Sequence, residues 1–123
     1  TEKGVMVHPG QDLEFSVVVS KSKIALYDLI AYAQIDFSKV DGSLVALEKI
    51  DQGSTEKISV KFQVPEDLLL GSHELIVNLE AYEVPREGVT PEMEFKKGLW
   101  SYFDYRMRWL HEEEYYIDVE SAK

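Results

Sequence analysis

Residues able to do chemistry gather in a few places along this 123-residue chain. His111-Glu112-Glu113-Glu114 offers imidazole and carboxylate ligands, but it lacks the spacing that sets two imidazoles one helical turn apart. It reads as an exposed acidic turn. Asp36, Asp41 and Glu48 could supply oxygens to calcium, yet no loop carries the ligand spacing of a calcium motif, so they read as solvated carboxylates. For catalysis, His8, His73 or His111 would have to act as the base and a serine as the nucleophile, because there is no cysteine. No nucleophile elbow and no glycine-rich phosphate loop accompanies them. With 23 acidic residues some carboxylate pair is inevitable, so a pair suited to glycoside hydrolysis carries no information without geometry. No catalytic, cofactor or metal residue is assigned, and the chain is read as a non-enzyme.

Residues 95–116 are the richer stretch, with eight aromatic side chains including both tryptophans. Read as a strand, Leu99, Phe103, Tyr105, Met107 and Trp109 share one face, while Trp100, Tyr102, Asp104, Arg106 and Arg108 share the other. Read as a helix, Leu99, Phe103, Met107 and Leu110 would form the buried stripe. The aromatic content favours the strand. Trp100, Tyr102, Arg106, Arg108 and Trp109 are then the candidate ligand or partner surface, because flat rings beside arginines can stack on sugars or anchor a protein. Against this stands a plainer role, in which the rings cover an otherwise bare sheet and the arginine stems pack over them.

Composition narrows the partners. Thirteen basic against 23 acidic residues give a net charge of −10, which repels nucleic acid and anionic lipid. The most apolar run, residues 24–37, is too short to span a bilayer and contains Asp28 and Asp36, so this segment does not insert in a membrane. Without cysteine there is no disulfide framework and no thiolate chemistry. A single asparagine beside abundant Glu and Lys resembles the composition of thermophilic proteins. The length fits one domain over residues 1–123, and the start at Thr1 suggests a fragment of a larger protein.

The elements that would position these groups are strands. Val5, Met6 and Val7 form a short edge strand before the turn His8-Pro9-Gly10. Leu13, Phe15, Val17 and Val19 alternate inward, with Val18 the apolar exception on the other face. Residues 20–23 make a loop or strand end. Residues 24–37 fit a helical spacing too, but their β-rich neighbours favour a strand over residues 29–37, with Leu29, Ala31, Ala33, Ile35 and Phe37 inward. A turn at residues 40–43, a short strand at 44–50 and a turn at 51–54 follow. Ile58, Val60, Phe62 and Val64 alternate, Pro65 to Gly71 cross over, and Leu75, Val77, Leu79 and Ala81 resume the alternation. Residues 84–94 read as a long loop, and residues 115–120 as the last strand.

Several of these motifs together resemble the immunoglobulin-like domains of bacterial and archaeal surface or secreted proteins, of the cell-adhesion-related or glycosidase-associated type. They are Pro9-Gly10 before a strand, the strand ending in Val64-Pro65, the connection through Leu68 and Gly71, and the strand Leu75-Ile76-Val77, all within about residues 5–82. The resemblance implies an all-β fold, an antiparallel sandwich of about seven to eight strands with a long loop before the last hairpin. It implies a non-catalytic spacer or protein-interaction domain at the cell surface or outside the cell. In such domains a tyrosine often stands two residues after the connecting glycine; here the position holds His73. Two alternatives come from other classes: a carbohydrate-binding module whose polysaccharide lies on the aromatic face, and a cytosolic arrestin-like adaptor. Pairing through the aromatic face would also allow a homodimer.

Overall fold

The computed structural model describes residues 4–83 and 108–121. Among them are eight strands and no helix: β1 (Gly4–Val7), β2 (Asp12–Val19), β3 (Leu26–Ile35), β4 (Ser38–Lys39), β5 (Val45–Ile50), β6 (Glu56–Gln63), β7 (Gly71–Tyr82) and β8 (Arg108–Val119). Two sheets result. The larger has the order β1-β8-β7-β3-β4, with β5 also on β3, and the smaller is β2 with β6. β1 runs parallel to β8, and every other pairing is antiparallel. The fold is all-β, with the apolar faces of the two sheets forming one core.

Alternation explains that core. Val17 and Val19 of β2, with Ile58, Val60 and Phe62 of β6, face Leu29, Ala31, Ala33 and Ile35 of β3 and Leu75, Val77, Leu79 and Ala81 of β7. Ile117 and Val119 complete it from β8. Each large side chain buried there contributes about 1.5–3 kcal/mol of transfer free energy. The connection from β6 to β7 carries the chain from the smaller sheet to the larger, as the Pro65 to Gly71 crossing predicts.

Three expectations change. β3 ends at Ile35, and Phe37 lies not in the core but 75% exposed on a turn. Helix-like spacing in this stretch comes from a bulge: the register with β7 slips between Tyr27 and Ile30, and Asp28 adopts φ +52°. The extra residue lets Leu26 and Leu29, three apart, both point inward. Next, β7 is not half-buried, because Ile76, Asn78, Glu80 and Tyr82 on its outward face are buried along with its inward face. Those polar groups are bonded there. Tyr32 Oη donates to Glu80 Oε2 at 2.6 Å, and Asn78 Nδ2 donates to Gln34 Oε1 at 2.8 Å. Finally, residues 111–114 form no turn; they lie within β8, which is 12 residues long.

Candidate functional site

At one end of the sandwich the sequence departs from what its local geometry favours. Ile35 pairs with Ser38, leaving Asp36 and Phe37 as a two-residue hairpin turn with φ of +49° and +70°. Asparagine followed by glycine is the usual occupant of such a turn. A left-handed conformation costs an L-residue about 1–2 kcal/mol, so Phe37 is held there at a cost and gains no burial in return.

Asp36 is fixed from several sides. Its backbone N–H donates to the Glu74 carbonyl at 2.9 Å, and one carboxylate oxygen accepts from the Glu74 N–H at 3.2 Å. Its other oxygen lies 2.5 Å from His73 Nδ1, while His73 Nε2 lies 2.7 Å from the Leu69 carbonyl oxygen. Carboxylate and carbonyl are both acceptors, so the ring meets both by donating from each nitrogen, as an imidazolium. The hydrogen bond to Asp36 accordingly raises the His73 pKa above its ordinary 6.5, against the opposing effect of burial. The same bond lowers the Asp36 pKa below its ordinary 3.8.

One imidazole thus ties the β3–β4 turn to the β6–β7 connection, whose Leu69 and Leu70 are 77% and 65% exposed. With Phe37 these are the three most exposed large apolar side chains among the described residues. Beside them opens a cleft of about 500 Å³ lined in part by Asp36, Asp41, Glu66 and Asp67, and by the basic Lys39. Glu66 also packs its carboxylate against Gly10, which adopts φ +82°.

A pH profile tests the tie. Because the His73 pKa is raised on folding, its contribution is full below about 6.5 and disappears as pH rises through the folded value. Because the Asp36 pKa is lowered, its contribution is full above about 3.8 and disappears as pH falls through the folded value. The stability gap between the wild type and His73→Gln is therefore expected to be largest between these two values and to close on the alkaline side. Urea unfolding from pH 3 to 9 measures it, and a gap independent of pH would contradict the pairing.

The aromatic candidates fare differently. Trp100, Tyr102 and Arg106 lie outside the described residues. Arg108 opens β8 opposite Tyr82. Trp109, opposite Ala81, turns inward, packs against the core half-buried and stacks on His111 with ring centroids 6.0 Å apart. Further along the same face His111 contacts Glu113 at 3.2 Å, and Tyr115 Oη donates to Glu113 at 2.8 Å. Burial, then the Glu113 hydrogen bond, raises the Tyr115 pKa. Among the described residues no three His, Asp or Glu side chains come together as a metal-ligand group. The Asp36–His73–Leu69 arrangement went unread in the sequence, although the connecting glycine followed by a histidine two residues on marked its corner.

No protein-family model, curated protein or solved structure matches the chain.

Proposed function

We propose that the chain is an immunoglobulin-like, non-catalytic protein-interaction domain of a cell-surface or secreted protein, engaging its partner through the end that carries Phe37, Leu69 and Leu70. The strand arrangement supports the immunoglobulin-like reading. β8-β7-β3 lie together in one sheet and β2-β6 in the other, the grouping that immunoglobulin sandwiches give their G-F-C and B-E strands. His73 supports it further: at the start of β7 it bonds a backbone oxygen four residues upstream, the task that tyrosine performs at the corresponding corner of that fold.

The interaction role rests on one observation: the three most exposed large apolar side chains among the described residues lie on a turn and a connection that a single histidine ties to each other. Clustered apolar exposure marks contact surfaces, and loops at the end of a rigid sandwich are where such domains present them. The partner surface is apolar at its centre, with basic groups opposite the acidic cleft.

Photo-crosslinking from position 70 in the parent protein tests this. It should yield a discrete protein adduct that the Phe37→Ser/Leu69→Ser variant loses and that a probe at Glu48 on β5 does not form. Equal adducts from both probes, or an adduct indifferent to the double variant, would count against the surface. A companion measurement separates binding from folding. Phe37→Gly relieves the left-handed turn and is expected to raise the unfolding free energy by roughly 0.5–1 kcal/mol, since glycine's greater unfolded-state entropy offsets part of the gain. The same variant should weaken the adduct, so a more stable protein that binds less well is the expected pattern in thermal melts and crosslinking together.

A further inference from the structure

The two sheets are unequal, with six strands facing two. β6 lies against β3 and β5, while β2 lies over β8, where Phe15 meets Tyr115 with ring centroids 4.7 Å apart. Among the described residues β2 pairs with β6 alone. Every second N–H and C=O along its eight residues therefore points away from β6, toward the side on which β1 stands.

Below that edge the inward face of the larger sheet is poorly roofed. Val5 is in register with the fully buried Ile117 yet is 41% exposed. His111 is exposed although its partner across the ladder, Leu79, is fully buried. A cleft of about 370 Å³ joins Trp109 and His111 to the end of β2 and the loop after it. This cleft lies at the opposite end of β7 from His73, since Trp109 pairs with Ala81.

We propose that the edge of β2 left unpaired among the described residues is a strand-acceptor site, taking one extended segment of a partner protein as a third strand of the smaller sheet. Main-chain groups of β2 supply the ladder, and alternate apolar side chains of the guest cover Trp109 and His111. Charge sets the guest's composition. Lys21 and Lys23 line the cleft beyond one end of β2, and Asp12 and Glu14 lie at the other end. An acidic residue at one terminus of the guest and a basic residue at the other match them. A second copy of this chain fits poorly, because pairing β2 with β2 sets strands about 4.8 Å apart and drives β1 of each copy into the space beside the other's β8. A lone strand meets no such obstacle.

The probe is a synthetic nonapeptide of alternating valine and threonine, with glutamate at one end and lysine at the other. Amide hydrogen exchange of the full chain reads its binding. Saturating peptide should slow alternate β2 amides at least tenfold, and N-methylation of every second peptide nitrogen on the pairing edge should weaken binding at least tenfold. Lys23→Glu should weaken it several-fold, while Phe37→Ser/Leu69→Ser should leave it unchanged, which separates this site from the interaction end proposed above. Unaltered β2 exchange at millimolar peptide would overturn the proposal, as would equal binding of the N-methylated peptide. Dimerisation that protects the β2 amides without any peptide, seen by light scattering, would overturn it as well.

Discussion

Replacing Leu79 with alanine is expected to lower the unfolding free energy by about 3 kcal/mol, within the usual 2–5 kcal/mol for a buried leucine. Leu79 is fully buried in β7, the strand flanked by β8 on one side and β3 on the other. Its neighbours along the inward face, Val77 and Ala81, are also fully buried. Strand hydrogen bonds on both sides of β7 hold its backbone in place, so the cavity left by three lost carbons cannot close by local collapse. Leu47 of β5 is a fair comparison: it is half-buried and sits on a strand that, among the described residues, pairs with β3 alone. Leu47→Ala should cost about 1 kcal/mol, roughly in proportion to the apolar area it buries. Urea denaturation of both variants, with unchanged slopes, measures the difference. Equal losses would mean that β7 is no more constrained than the sheet margin.

Tyr32→Phe is expected to cost about 2 kcal/mol, although it removes one oxygen and leaves the ring in place. Tyr32 is 1% exposed, and its hydroxyl donates to Glu80, itself only 2% exposed, on the outward face of the larger sheet. A hydrogen bond to a charged group is worth about 1.5–3 kcal/mol, and deleting the donor leaves a buried carboxylate one partner short. Glu80→Gln made alone weakens the same bond from the other side. In the double variant the losses should be clearly less than additive, because both act on one contact. Full additivity in thermal or urea unfolding would show that the bond contributes little and that the two residues act through other neighbours.

These sites show how far the sequence could be read. Alternation at Leu13 to Val19, Ile58 to Val64 and Leu75 to Ala81 placed β2, β6 and β7 and the inward faces of all three, because a strand with one wet face repeats every two residues. The Pro65 to Gly71 crossing was legible for a different reason: its punctuating residues have few other uses. What misled was local irregularity. An inserted residue at Asp28 made β3 imitate helical spacing, and Phe37 continued the alternation past the point where the chain had turned. His111 and Glu113 hid the middle of β8, since polar residues on an inward face carry no burial signal where the smaller sheet gives little cover. The bond between Asp36 and His73 joins residues 37 apart in sequence, and no spacing rule announces such a pair.

The parallel pairing of β1 with β8 gives the domain a mechanical character. Tension drawn through the Gly4 end of β1 and the Val119 end of β8 pulls the two strands along each other in opposite directions. The ladder from Gly4 with Tyr116 to Val7 with Val119 is then loaded in shear, all its bonds together, where an antiparallel pair pulled from adjacent ends would open one bond at a time. Single-molecule pulling through these ends should give one high unfolding force that Val5→Pro sharply reduces, because Val5, like Val7, turns its N–H toward β8. A peak unaffected by that substitution would place the resistance elsewhere in the sheet. A clasp of this kind lets the sandwich carry load along this axis without releasing its core.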